Sequence, residues 1–301
     1  MRRKTLVFSS GIALLLSSAL AIPEAAAFEV EEKSERLIIT RDGEPVAHYV
    51  FKDEEVIRGP FFAHVHTPGG IQATRNHPPI KGTDETDHEF LHPGIWHGWG
   101  RVGGYDFWRN RDRIEHVEFI TRPAVKDGAL TFSVRNHFMG SDGPILDQTV
   151  GHRIELVDGG YLLQMDLEFR PTGGAVVFEA HDEMGFGIRV ATPLTVNNGG
   201  KMVDAEGNVN ESEVRGSTAR WADYRGEIEG KQVGITAMPH PENPNQAWYH
   251  ARNYGVLTTN PFPRREPSET VLQPGETLRL RFAAFVHEGE VDIERIYNSL
   301  H

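Results

Sequence analysis

DGGYLLQMDLEF, residues 158–169, is the stretch that most clearly predicts the fold. After the Asp-Gly-Gly turn signal, apolar side chains occupy every second position: Tyr161, Leu163, Met165, Leu167 and Phe169. Successive side chains of a strand point to opposite faces of a sheet, so this alternation predicts a strand with one buried face. The same alternation of apolar and polar residues, with a period of two, recurs along most of the chain.

Further strands are predicted between Gly, Pro and Asp turn signals, over residues 37–40, 46–51, 116–121, 130–134, 175–180, 187–191, 233–238, 256–259 and 277–287. One helix pattern stands at the end of the chain, where Ile293, Ile296, Tyr297 and Leu300 follow helical spacing. The polar stretch 197–216 is interpreted as a long surface loop. The sequence therefore predicts an all-β fold, a large antiparallel sandwich of two packed sheets with long loops and a short C-terminal helix.

The first 27 residues are typical of a secretory signal peptide. A basic start, Met1–Lys4, precedes an apolar run over 5–22, and the alanines at 25–27 provide a cleavage site. We expect export to the periplasm or the medium, and no membrane contact after cleavage. Residues 28–301 are predicted to form one β-sandwich domain, because all-β chains of this length often do.

Composition narrows the classes of function. The chain has no cysteine, which excludes disulfides, thiolate metal sites and cysteine nucleophiles. Its formal net charge of −12 argues against nucleic acid as a partner, since that partner requires a basic surface. The expected partner is a carbohydrate or another glycan-derived small substrate, and the sequence does not indicate an oligomeric state.

The most unusual segment is DHEFLHPGIWHGWGRVGGYDFW, residues 87–108. It concentrates imidazole, indole and glycine, so we interpret it as a binding or catalytic surface carried on a loop. Pro93 and Gly94 argue against a helix here. The candidate catalytic histidines are His88, His92 and His97. The candidate substrate-binding residues are Asp87 and three indoles that offer flat faces to a sugar ring, Trp96, Trp99 and Trp108.

Two distant segments add titratable and cationic groups. In EAHDEMGFGIR, residues 179–189, His181 and Glu183 are candidate acid/base residues, and Arg189 is a candidate for substrate binding. In WYHARNYG, residues 248–255, alternation places the candidate catalytic His250 on one face with the candidate binding residues Arg252 and Tyr254. Arg75 adds a fixed positive charge for a substrate or a developing oxyanion.

The histidines also allow a metal hypothesis. Imidazole binds zinc, iron and copper, and Asp87 is able to serve as a ligand or to orient one. The spacings match no specific metal motif, so no cofactor and no metal residue are predicted, and a divalent metal is kept as an alternative.

Several motifs together resemble a secreted bacterial family labelled PmoA-like. They are TPGG-x-x-x-TR (residues 67–75), the 87–108 segment, GFGIRV (185–190), WADYRG (221–226), WYHARNYG and LQPGETLRLRF (272–282). The label comes from a membrane-embedded copper oxygenase, whose activity is not carried over. The strand-rich pattern also resembles the galactose-mutarotase-like supersandwich. That resemblance implies a concave sheet face where His88, His92, His97, His181, His250 and Arg252 meet.

These observations lead to one main hypothesis and two alternatives. The main hypothesis is an exported carbohydrate-active enzyme of the hydrolase, lyase or epimerase type, which uses His and carboxylate groups for general acid/base catalysis in an aromatic-lined cleft. The alternatives are a non-catalytic glycan-binding module and a metal-dependent, His-ligated oxidoreductase or hydrolase.

Overall fold

A computed structural model describes residues 27–53, 58–264 and 269–300. The predicted signal peptide, apart from Ala27, lies outside these residues. Within the described ranges, no helix is long and apolar enough to cross a membrane.

Most of the described chain is antiparallel β-sheet, which confirms the predicted fold class. The first sheet has the order β1-β2-β3-β4-β5-β11-β16-β15, with strands β1 Phe28–Glu32, β2 Arg36–Arg41, β3 Glu44–Val50, β4 Phe61–Ala63, β5 Ile95–Trp99, β11 Met184–Arg189, β15 Trp248–Arg252 and β16 Val256–Asn260. The second sheet has the order β12-β13-β14-β18-β9-β8-β7-β6, with strands β6 Ile114–Lys126, β7 Ala129–Gly140, β8 Gly143–Val157, β9 Gly160–Pro171, β12 Lys201–Asp204, β13 Ala222–Ile228, β14 Lys231–Pro239 and β18 Leu278–Glu288.

The remaining elements are short. A two-stranded sheet pairs β10, Val176–Phe178, with β17, Thr270–Leu272. Two 3-10 helices span Thr192–Leu194 and Val196–Asn198. The helices are α1, Asn210–Val214, and α2, Ile293–Asn298.

The main core lies between the two sheets and contains the alternating residues of β9. Tyr161, Leu163, Met165, Leu167 and Phe169 are all buried in it, as the alternation predicts. Apolar side chains of the first sheet face them. Burial of such side chains away from water is the dominant favourable term in folding.

A smaller cluster covers the opposite face of the second sheet. Leu162 of β9 and Phe285 of β18 point away from the main core and pack against α2 through Ile293, Ile296 and Tyr297. The helix begins where the Asp292 side chain accepts a hydrogen bond from the backbone N–H of Arg295. The predicted C-terminal helix is therefore confirmed, and it shields the second sheet from solvent.

Two predicted loops contain regular structure. The centre of the 87–108 segment is the strand β5, in which all five residues are buried. It lies in the middle of the first sheet between β4 and β11, so burial on both faces removes the alternation that marks a half-buried strand. The stretch 197–216 contains β12 and α1.

His152 of β8 titrates in an apolar environment. Its ring stacks on Phe132 with 4.6 Å between centroids and lies 4.8 Å from the ring of Tyr49. Neither ring nitrogen has a hydrogen-bond partner among the described residues. Burial, with a smaller contribution from His97, lowers the pKa of His152 from 6.5 to about 3.

We expect His152 to make folding less favourable in mild acid. Below pH 6.5 the unfolded chain binds a proton at this residue, whereas the folded chain does so only near pH 3, so stability is lost as the pH falls. Between pH 7 and pH 5 the loss is about 2 kcal/mol. Urea denaturation at both pH values should show a correspondingly smaller loss in His152→Leu. The control is the half-buried His137→Leu, and an unchanged pH dependence in His152→Leu would contradict the prediction.

Candidate functional site

Two indole rings lie over glycine residues on the outer face of the first sheet. This face points away from the main core. Trp96 and Trp108 pack there with 5.7 Å between ring centroids. A Cβ at Gly187 would lie 2.8 Å from the Trp96 ring, and one at Gly98 would lie 2.6 Å from the Trp108 ring. These glycines leave the space in which both indoles lie against the sheet. The two indoles form a small buried cluster with Val50, Phe61 and Ala63.

The indoles were expected to be open platforms, but the structure buries them. Trp96 and Trp108 are 5% and 3% exposed. Trp99 points to the opposite face of β5, into the main core, and is fully buried. His97 also points inward, and its Nδ1 accepts a hydrogen bond from Trp99 Nε1 at 3.0 Å. Burial lowers the pKa of His97 to about 4. His97 and Trp99 therefore lie away from the outer face.

A single helical turn places two candidate histidines side by side. The backbone N–H of His92 donates to the His88 carbonyl at 3.2 Å, despite the following proline. Four rings then stack in the order Tyr254, His88, His92 and Trp96, with centroids 5.2 to 5.4 Å apart. Burial, together with the Arg189, His88 and Arg75 charges, holds the pKa of His92 well below its ordinary value. His92 is thus a neutral ring inside a stack.

Two buried arginines hold this turn. Arg189 is fully buried and donates two hydrogen bonds to the Asp87 carboxylate, at 2.7 and 3.0 Å. Arg75 donates to the backbone carbonyls of Glu85, Asp87 and His92. Burial opposes ionisation of Asp87, but the hydrogen bonds from Arg189 and His88 and the two guanidinium charges hold its pKa well below its ordinary value. These predicted binding residues are therefore occupied by bonds within the protein.

The Asp87 carboxylate also orients His88. Its Oδ2 lies 2.8 Å from His88 Nδ1, and the His88 side chain is 46% exposed. A carboxylate at one ring nitrogen fixes the tautomer and leaves the other nitrogen for a ligand. His88 is thus the exposed member of the stack.

The remaining candidates meet at a cavity of about 590 Å³ near β15 and β16, named here the arginine-lined cavity. It is lined by Arg101, Arg109, Glu179, Ala180, His181, Asp182, Glu183, Arg215, Trp248, His250, Arg252, Asn260, Phe262, Pro263 and Arg264. Four predicted site residues, His181, Glu183, His250 and Arg252, come together here from distant parts of the chain. The volume lies within the usual range of small-molecule sites, roughly 300–1,000 Å³.

Arg109 connects the acidic and imidazole groups of the cavity. Its guanidinium bonds to the Glu183 carboxylate and lies 3.3 Å from Asp106 Oδ2. It also lies 3.4 Å from His181 Nε2. His181 Nδ1 accepts a hydrogen bond from the backbone N–H of Glu183 at 3.0 Å, which assigns the proton of the neutral ring to Nε2. His181 therefore presents a hydrogen-bond donor beside a carboxylate.

His250 supplies a neutral imidazole at the cavity wall. It is 5% exposed, and its Nδ1 has no hydrogen-bond partner among the described residues. Burial and the charges of Arg252 and Arg215 lower its pKa to about 4. Thr258, its register partner on β16, is fully buried and its hydroxyl is also unpartnered within the described chain. Buried polar atoms normally have partners, so this part of the face is suited to a ligand or water.

Several functional candidates had no clear signal in the sequence. Arg109 directly follows the conspicuous 87–108 segment, and Arg215 lies in the polar stretch interpreted as a loop. Arg264 follows the NPFP motif. In the described parts of the chain, no group of three or more His, Asp or Glu side chains is arranged to hold a metal ion. The metal alternative therefore has no supporting geometry in those parts.

Fold and site together define an all-β protein with a polar, arginine-lined cavity on one face of a large sheet. Residues 36–301 match the family described as "Family of unknown function (DUF6807)", and the chain belongs to that family. No curated protein matches the chain. The PmoA-like label stays a prediction.

Solved structures similar to the chain include carbohydrate-active proteins at low identity. The GH36 alpha-galactosidase AgaB from Geobacillus stearothermophilus is 12% identical over 87% of this chain and 41% of its own, with a TM-score of 0.46. An alpha-galactosidase from Lactobacillus brevis is 10% identical over 92% and 41%, with a TM-score of 0.45. A galactose mutarotase-like protein from Clostridium acetobutylicum is 8% identical over 88% and 99%, with a TM-score of 0.42. The chain spans about two fifths of the length of the alpha-galactosidases it matches.

We expect Asp87→Ala to destabilise the protein by about 3 kcal/mol, because it leaves the buried Arg189 guanidinium without its carboxylate. Urea denaturation at pH 7 measures the change. The matched control is Glu32→Ala, which breaks the exposed pair with Arg122 and should cost less than about 1 kcal/mol. Equal, small losses in both variants would show that the Arg189 pair does not hold the turn.

Proposed function

We propose that the protein is an exported carbohydrate-active enzyme of the hydrolase, lyase or epimerase type, acting by general acid/base catalysis in the arginine-lined cavity. The observation that carries the proposal is the convergence of His181, Glu183 and His250 on one cavity. Acid/base chemistry requires groups with different proton affinities near one substrate. Export rests on the sequence of residues 1–27 alone.

The environments of the three groups support different roles. His250 is neutral at pH 7 because burial lowers its pKa to about 4, so it is suited to accept a hydrogen bond or a proton. His181 presents an Nε2–H that is suited to donate a hydrogen bond to a substrate oxygen, and proton transfer from this ring requires its imidazolium form. Glu183, which pairs with Arg109, is a second acceptor. The Arg109 guanidinium also lies 3.4 Å from His181 Nε2, so Glu183 and His181 are close to each other. Such a set transfers protons to and from a hydroxyl or a carbon-bound hydrogen.

The cavity lining also supports a polar, sugar-sized substrate. The guanidinium groups of the lining offer hydrogen-bond donors suited to hydroxyl groups. Trp248 contributes an apolar wall, and its Nε1 donates to the Phe262 carbonyl at 3.1 Å, which fixes the ring. A rigid aromatic wall beside polar groups is common in small-molecule sites.

The test is turnover of a panel of neutral, uronic-acid and sulfated oligosaccharides by the exported chain, with products followed by chromatography and NMR. We expect His181→Ala and His250→Gln to lower turnover about 10²–10⁴-fold, because each removes a proton-transfer group. Substrate affinity should change much less.

The matched control is His137→Ala on β7 of the second sheet, away from the cavity, which should keep full turnover. Circular dichroism and thermal melts confirm that each variant is folded. If the wild-type protein binds members of the panel but converts none, the enzyme proposal fails and the glycan-binding module replaces it. If it turns substrate over and both histidine variants keep wild-type rates, the proposed catalytic site is wrong.

A further inference from the structure

The charge of the arginine-lined cavity is opposite to that of the whole chain. Five lining residues are arginines, Arg101, Arg109, Arg215, Arg252 and Arg264, and three are carboxylates, Glu179, Asp182 and Glu183. The lining therefore has a formal excess of positive charge, although the chain as a whole carries −12. A cleft of one sign concentrates ligands of the opposite sign.

Three of these arginines are neutralised within the protein. Arg101 lies 3.8 Å from Glu179, and Arg109 pairs with Glu183. Arg252 lies 3.1 Å from Glu211, a residue outside the lining. These three therefore contribute hydrogen bonds more than net charge.

Arg215 and Arg264 differ, because neither has a carboxylate partner among the described residues. Arg264 donates to the Gly216 carbonyl, and its guanidinium carbon lies 5.4 Å from the centre of the Trp248 ring. Arg215 follows α1 and is exposed. Asp182 is the lining carboxylate without an ion pair in the described chain, and it is also exposed. Two free guanidinium groups thus face one free carboxylate.

Gly216 positions Arg264. A Cβ at Gly216 would lie 2.5 Å from a nitrogen of the Arg264 guanidinium, and its backbone φ of +84° is one that glycine adopts without strain. The ring of Trp248 also lies beside the Arg264 guanidinium. Arg264 is therefore held between a backbone carbonyl and an aromatic face, which reduces the ordering cost of binding an anion.

A second pair of donors lies beside His181 in the same cavity. His181 Nε2 and Arg109 Nη1 lie 3.4 Å apart, and the hydrogen bond at Nδ1 assigns the proton of the neutral ring to Nε2. Two donors at this distance are satisfied by one oxygen placed between them. The cavity thus presents donors both at its His181 end and at its Arg264 end.

We propose that the arginine-lined cavity binds a saccharide bearing a negatively charged group, a carboxylate or a sulfate, which Arg215 and Arg264 bind. This inference rests on the proposed function and specifies its substrate class. A guanidinium presents parallel N–H donors that match the oxygens of a carboxylate or a sulfate, and charge-assisted hydrogen bonds are about twice as strong as neutral ones.

Calorimetric titration of the exported chain tests the inference. The probes are a uronic-acid disaccharide, a sulfated disaccharide and a neutral disaccharide of matching linkage. We expect one of the charged probes to bind at least about tenfold more tightly than the neutral one. Arg215→Ala and Arg264→Ala should each weaken that binding about 10- to 100-fold and weaken binding of the neutral disaccharide much less. Arg264→Lys should weaken binding of the charged probe less than Arg264→Ala does. Lysine keeps the positive charge but lacks the two parallel N–H donors of a guanidinium group.

The control is Arg279→Ala, whose exposed side chain pairs with Glu168 on the second sheet and should leave binding unchanged. Equal binding of charged and neutral probes, unaffected by the arginine variants, overturns the inference and leaves the proposed function intact. Sodium acetate or sulfate binding as tightly as the charged disaccharide overturns the saccharide part. If none of the probes binds and no glycan of the earlier panel is converted, the proposed function fails as well.

Discussion

The antiparallel register at the centre of the first sheet determines which side chains of β5 and β11 point outward. Trp96 is opposite Gly187 on β11, and Trp108 lies over Gly98 of β5, so both indoles of the outer face pack on a glycine. A shift of one residue would turn His97 and the following indole outward and bury Trp96 in the main core. The two indoles leave no room for side chains at Gly98 and Gly187. The strands whose other side chains build the main core must therefore carry glycine on their outer face.

The second constraint is electrostatic. Arg75 and Arg189 are both buried, and an unpaired buried charge is expensive. Their donors reach Asp87 and backbone carbonyls of the 85–92 segment, so this segment stays against the sheet only when those bonds are made. The stacked rings and the exposed His88 depend on the same bonds. The guanidinium groups that seemed suited to a substrate therefore organise the protein around the site.

Most strands could be predicted from the sequence, including β16, which is buried throughout, but β5 could not. The alternation of β9 and β18 identified both strands, because polar residues such as Glu168 and Arg279 stand between their apolar ones. β5 has the sequence IWHGW and is buried throughout, so its glycine and histidine resembled a functional loop. Local patterns also found His181 and His250, but Arg215 and Arg264 meet in space across about fifty residues, and no local pattern carries that information.

The acidity of the chain does not oppose an anionic ligand at this cavity. Charges in water are largely screened beyond about 8 Å at physiological ionic strength, so distant surface carboxylates contribute little inside the cleft. The exposed guanidinium groups of Arg215 and Arg264 line the cavity and act directly on a ligand that touches them. The free arginines of the lining therefore set the local potential, whereas the net charge of −12 governs solubility and encounters with other macromolecules. The net charge argues against a nucleic-acid surface and still permits a small anionic sugar.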